Sequence, residues 1–209
     1  MSNYNDIVAM LEKYLSDNNI DISIKSDLHK ASFNDNENNY LYNGKKLQVV
    51  DMDNIAKKAY RLIKKPDSIT EDDSVNTADA FLVDRENEWF FIEFKDSPLN
   101  SVKDSVLKKA YSNWYMLMDI LFEMKGNESE YLNFAFENPI KFAKENITYI
   151  VVCSLEKNPT TYKQIRRQRI IGEKYTAPFL ERIKSYLFKD AYVYTEDFFE
   201  REFVNKFEY

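Results

Sequence analysis

Apolar positions along this chain change period several times, and each change marks an element. Ile7, Val8, Leu11 and Leu15 recur at helical spacing and predict a helix over 5–15. Asn43-Gly44, between Tyr40-Leu41-Tyr42 and Leu47-Gln48-Val49-Val50, predicts a β-hairpin. Asp53 can cap a helix over 55–65 that Pro66 ends, and the polar, acidic stretch 67–76 reads as a loop. Two β-favouring runs follow, Ala78 to Asp84 and Glu88 to Lys95. A long helix then starts at Ser97-Pro98 or Ser101 and reaches about 124, with Val102, Val106, Ala110, Trp114, Leu117 and Leu121 as its apolar stripe. Gly126-Asn127 ends it, and a shorter helix is expected over 129–136. The unbroken apolar run 147–155 has the character of a strand covered on both faces. Helices over 162–171, 178–188 and 198–207 and a strand over 191–194 complete the reading.

The central pair of runs carries Asp79, Glu93 and Lys95 inside or at the end of apolar sequence. An unpaired charge buried in a strand is costly, so such residues need a partner or a task. Glu93 and Lys95 are two apart and project from one face of a strand. The register of the hairpin decides whether Asp79 joins them. A three-residue loop, Arg85-Glu86-Asn87, sets Asp84 opposite Glu88 and Asp79 opposite Glu93, on the same face. A two-residue loop would turn Asp79 away, and Glu86-Asn87 is a poor two-residue turn, so the odd loop is expected.

The order helix, strand pair, long helix, strand fixes the fold class. The strand pair is antiparallel, and a long crossover helix suits a parallel return of 147–155. The expected architecture is α/β, a central mixed β-sheet flanked by helices on both faces.

Composition narrows the chemistry. The chain of 209 residues is expected to form a single domain, with a core about 50–155, an N-terminal helix and hairpin (1–50) and a C-terminal helical extension (156–209). No apolar run approaches the roughly 20 residues of a membrane helix, and residues 1–6 lack the pattern of a signal peptide. Cys153, the one cysteine, lies in an apolar run and reads as an inert buried thiol; a cytoplasmic location is expected. The one histidine, His29, is expected at the surface. Nucleophilic triads and two-histidine zinc sites are thereby disfavoured, leaving carboxylates, lysines and a metal to carry any chemistry. Net charge is −6, but residues 1–40 carry 3 basic and 7 acidic groups and residues 190–209 carry 2 and 6. The middle of the chain therefore holds 24 basic against 22 acidic groups and is free to meet phosphate.

Asp79, then Glu93-Phe94-Lys95 ending an apolar strand, then a helix and a third strand, resembles the PD-(D/E)xK nuclease superfamily. Acid-x-Lys triplets are common by chance, and this chain has two; the other, Glu123-x-Lys125, ends the long helix. The resemblance implies a restriction-endonuclease-like core. It also implies a metal-dependent nuclease, an Mg²⁺ (or Mn²⁺) endonuclease or phosphodiesterase acting on DNA. By it, Asp79 and Glu93 hold the metal, the carbonyl of Phe94 adds a ligand, and Lys95 orients the attacking water. The residue before Asp79 is Ala78 rather than proline, and the literal Pro66-Asp67 lies in the polar loop. Many members also place a glutamate on the preceding helix. The helix over 55–65 has none, and Asp51, Asp53 or Glu12 could substitute. Lys108 and Lys109 on the long helix, and Lys163, Arg166 and Arg169 in the most basic segment, are candidate phosphate contacts, with an ordinary solvated face as the alternative. Trp89 and Trp114 read as core. The competing function is a restriction-endonuclease-like domain without activity, serving as a protein-interaction or regulatory module. DNA is the expected partner, no membrane is, and a homodimer is left open.

Overall fold

The computed structural model describes residues 3–64, 74–124, 135 and 137–207. Helix α1 (Asn3–Asp17) buries Ile7, Val8, Leu11 and Leu15, the stripe that the spacing marks, and a one-turn helix, α2 (Leu28–Ala31), comes after it in the chain. Strands β1 (Lys25–Asp27), β4 (Gln48–Asp51), β5 (Ala80–Val83), β6 (Trp89–Lys95), β7 (Ile147–Cys153) and β8 (Asp190–Thr195) form one six-stranded sheet in the order β1-β4-β5-β6-β7-β8. Neighbours are antiparallel from β1 to β6 and parallel from β6 to β8. The mixed sheet expected from the element order is therefore present, and it draws its outer strands from both sides of 50–155.

The two faces of β6 show how the layers are arranged. Trp89 packs edge-on against Trp114 and Phe142, while Phe91 meets Phe188. Trp114 belongs to α5 (Lys103–Glu123) and Phe142 to the helix Pro139–Asn146, so these helices cover the face that also carries Glu93 and Lys95. On the opposite face Phe90 meets Phe203 and Phe207, and Phe94 meets Phe199. Phe199 lies on the helix Glu196–Glu202, and Phe207 ends a 3₁₀ turn, Val204–Phe207. Every residue of β7 is buried, as a strand covered on both faces requires. Cys153 lies fully buried at its end, and burial pushes its thiol up to about 12, which makes it unreactive.

Several expectations are corrected. The Asn43-Gly44 hairpin does not form: a two-residue strand, β3 (Asn39–Tyr40), pairs with β2 (Phe33–Asn34), and β4 pairs with β1. Tyr42 explains the difference. Its backbone N–H bonds Ser32 Oγ at 3.0 Å, and its ring is buried against Phe94 and Phe199. A Cβ on Gly44 would stand 2.6 Å from Tyr42 Cζ, so this glycine admits a ring rather than making a hairpin turn. The helix cap is Asp51, whose Oδ1 accepts from Asn54 N at 2.9 Å, not Asp53. The helix begins at α3 (Met52–Asn54), passes through a π-helical stretch (Ile55–Tyr60) and ends in α4 (Arg61–Lys64). The segment 178–188 is helical as expected, a 3₁₀ turn (Pro178–Leu180) running through Glu181 and Arg182 into a π-helical stretch (Ile183–Leu187). His29 is half-buried, its Nδ1 3.1 Å from Tyr42 O and its ring 3.9 Å from that of Tyr40. The Pro66-Asp67 pair, Gly126-Asn127 and all but one position of the helix read over 129–136 lie outside the described residues.

No helix among the described residues is long and apolar enough to cross a membrane.

Candidate active site

The hairpin between β5 and β6 adopts the odd register. Val83 pairs with Trp89 and Ala80 with Ile92, and Asp84 N bonds Glu88 O at 3.0 Å, which leaves Arg85-Glu86-Asn87 as the loop. Asn87 takes a left-handed φ of 64°, a conformation asparagine tolerates better than most residues. Asp84 Oδ1 accepts from Glu86 N and Glu88 N, both at 2.9 Å, and so closes the turn from within.

Counting back from that turn, Asp79 falls opposite Glu93. The ladder between the two strands ends at Ala80, and there the side chain of Asp79 takes over. Its Oδ2 accepts from Phe94 N at 2.6 Å, while its own N–H bonds Ile92 O at 3.1 Å. The carboxyl is thereby fixed over the end of β6 with Oδ1 left to face inward.

Glu93 is fully buried, and the Lys95 side chain is mostly buried with 16 % of it exposed. The Lys95 ammonium makes an ion pair with Glu93 Oε1, as two residues apart on one strand face allow. A second ammonium arrives from α5. Lys109 Nζ lies 2.9 Å from Glu93 Oε1, 3.0 Å from Glu93 Oε2 and 3.2 Å from Asp79 Oδ1. Three oxygens of two carboxylates thus surround one nitrogen. Neither ammonium is aimed at Glu93 Oε1 as a directed hydrogen bond, so that buried oxygen is short of a partner despite both charges being close.

The electrostatics follow from burial. Desolvation, with Asp79 adding repulsion, pushes the Glu93 carboxyl up to about 7 against the pull of Lys109 and Lys95. For Lys109, burial works against the charge, but Asp79 and Glu93 more than offset it and hold the ammonium above its ordinary value. Asp51 is raised too, by desolvation first and by its neighbours Asp53 and Asp79.

Asp79 and Lys95 open onto a cavity of about 490 Å³, which Asp53, Glu37 and Asp96 also line. Among the three acids considered for the missing helix glutamate, Asp53 is the one that reaches this cavity. Its Oδ1 accepts from Thr77 Oγ1 at 2.8 Å and its Oδ2 pairs with Lys57 at 2.9 Å. Asp51 is committed to its cap, and Glu12 pairs with Lys25 at 2.7 Å. Asp96 escapes a reading that stops at Lys95. Burial opposes its charge, but Lys157, Asn34 and Asn39 donate to it and hold its carboxyl below the ordinary range. Asn113, one helical turn beyond Lys109, is fully buried with neither amide atom partnered. Its position inside the apolar stripe of α5 was the available signal.

The other sequence candidates separate. Lys109 lies in the site, its ammonium turned to the carboxylates. Lys108 is exposed on α5 and lines a different surface depression with Tyr111, Tyr115 and Arg182. On the helix Pro159–Ile170, Lys163 is exposed, Arg166 lies over the Tyr162 ring and Arg169 is paired with Glu202. The basic strip is thus partly neutralised from within.

Among the described residues, no three or more His, Cys, Asp or Glu side chains group closely enough to hold a metal ion by themselves. A hard cation such as Mg²⁺ asks for less, since it keeps several waters and takes one or two carboxylates. Asp79 and Glu93, with a buried carboxylate oxygen short of a hydrogen bond, fit that smaller requirement. No protein-family model, no curated protein and no solved structure matches the chain.

Proposed function

We propose that Asp79, Glu93 and Lys95 form the centre of a metal-dependent nuclease of restriction-endonuclease-like architecture, hydrolysing phosphodiester bonds of DNA. The observation that carries this reading is the convergence of the Asp79 and Glu93 carboxylates on one cation-sized point, at 2.9–3.2 Å from a single nitrogen. Asp79 and Glu93 would hold Mg²⁺ or Mn²⁺ there, with the carbonyl of Phe94 as a further ligand. When bound, the metal supplies Lewis acidity toward a phosphoryl oxygen and a more acidic water. Asp79 contributes a fixed position, because Phe94 N–H anchors one of its oxygens. Glu93 contributes a desolvated carboxylate whose protonation must be lost before it can ligate. Lys95, at the strand end and on the cavity, orients water and offsets the charge that grows on phosphate during attack.

A second reading, an inactive module, is favoured by one observation. Lys109 already pairs with both carboxylates, so the cluster is electrostatically complete as an internal salt-bridge network. The two readings part in a cleavage assay with Mg²⁺ or Mn²⁺ on double-stranded and single-stranded DNA and on RNA. The enzyme reading expects cleavage by wild type that chelator and Glu93→Gln both abolish. Chelator-insensitive cleavage, or none on any of these substrates, contradicts it.

A further inference from the structure

We infer that Lys109 is a tethered counter-ion occupying the position a divalent cation takes between Asp79 and Glu93, so that cation binding requires this ammonium to move out. The inference rests on the reading of the site as a metal centre and adds to it a competitor built into the chain.

The geometry is specific to this lysine. Its nitrogen has Glu93 Oε1, Glu93 Oε2 and Asp79 Oδ1 within 3.2 Å, the arrangement in which those oxygens would surround a metal. Lys95 lacks it, pairing with Glu93 from the cavity side. An ammonium and a divalent ion cannot both be held by the same three oxygens at such distances, because the two would occupy the same point between the carboxylates, with full charge repulsion between them. One must leave. Lys109 has the means, being a flexible four-carbon stem on α5 whose side chain is 15 % exposed rather than sealed in. Asp53 lies close enough to support its charge and lines the adjoining cavity, giving the displaced ammonium an acidic neighbour.

The functional meaning is a preorganised site without self-repulsion. Two carboxylates facing each other in a fold without metal would repel, and Glu93 would have no counter-charge on its inner side. Lys109 holds both in place, and the same pairing reduces apparent metal affinity by the work of breaking it. The site then discriminates for a doubly charged ion over a singly charged one, because only the former recovers what the ammonium gives up.

The test is Mn²⁺ binding to the full chain, read from the electron paramagnetic resonance of free Mn²⁺, for wild type, Lys109→Met and Lys109→Gln. Nitrogen-15 lysine side-chain spectra of wild type under Mg²⁺ titration accompany it. Expected are an affinity at least tenfold higher in Lys109→Met than in wild type, and an intermediate value for Lys109→Gln. Wild type should also lose the protected Lys109 Nζ signal in step with Mg²⁺ saturation. Equal or weaker Mn²⁺ binding by a folded Lys109→Met overturns the inference while the metal site itself stands. No Mn²⁺ binding by any of the three proteins overturns both. If the variants do not fold, wild type decides: a Lys109 signal unchanged by Mg²⁺, whether or not Mg²⁺ raises the melting temperature, overturns the inference.

Discussion

Asp79 Oδ2 accepts a 2.6 Å hydrogen bond from the backbone N–H of Phe94, the residue that separates Glu93 from Lys95. The bond ties the upstream aspartate to the centre of the Glu-x-Lys triplet. It also uses a strand N–H that the ladder, ending at Ala80, leaves for a side chain to take. Hairpin register therefore sets the chemistry, since a slip of one residue would turn Asp79 to the other face.

The register can be tested through the turn. Asp84 Oδ1 satisfies two backbone N–H groups of the loop, so Asp84→Ala should lower stability by about 1 kcal/mol, the usual loss for a capping side chain. Urea unfolding measures it, and an unchanged midpoint would show that the loop holds without that carboxylate.

Mn²⁺ at a concentration tenfold above its dissociation constant should stabilise the fold by about 1.4 kcal/mol. For a chain of this size that is about 3 °C in melting temperature. Glu93→Gln should remove the rise, because the buried amide keeps the shape and loses the charge. Differential scanning calorimetry with and without Mn²⁺ gives the comparison, and a rise that survives in Glu93→Gln places the ion elsewhere.

Stability should depend on pH through Glu93. Its folded carboxyl is raised to about 7 from an ordinary value of 4.5, so between those limits the folded state binds more protons than the unfolded state. The contribution is fully present below pH 4.5 and is lost as pH rises through 7, with a slope of at most about 1.4 kcal/mol per pH unit. Metal-free unfolding series from pH 5 to 8 should show wild type losing stability relative to Glu93→Gln over that window. Parallel curves for the two proteins would contradict the assignment.

How much was legible in the sequence depends on whether local or distant groups decide. Period-two spacing set Glu93 and Lys95 on one face, and the weak turn chemistry of Glu86-Asn87 indicated the three-residue loop; both are local and both hold. The apolar run of β7 and the stripe of α5 were equally plain, because burial dictates composition there. Asn43-Gly44 misled, since the distant contacts of Tyr42 with Ser32, Phe94 and Phe199 outweigh a local turn preference. Lys109 was visible as a basic residue beside the site but not as the partner of both carboxylates. That role depends on how far α5 rotates over the sheet, which the spacing of its stripe fixes only to within a helical turn. Asp53, in turn, reaches the cavity because Asp51 takes the cap, a choice between two adjacent acids that sequence does not make.

Lys95→Met offers the most direct measurement on the central claim. The ammonium is at the strand end with its stem packed, so the apolar replacement should leave folding and substrate binding nearly unchanged while removing the charge that acts in the transition state. Steady-state cleavage of DNA with Mg²⁺, compared with the binding of uncleaved DNA in Ca²⁺, separates the two effects. A fall in turnover on the order of a hundredfold or more, with the dissociation constant held, is the predicted result. Equal turnover in wild type and Lys95→Met would contradict the account, leaving Lys95 a structural ion pair and any cleavage the work of another site.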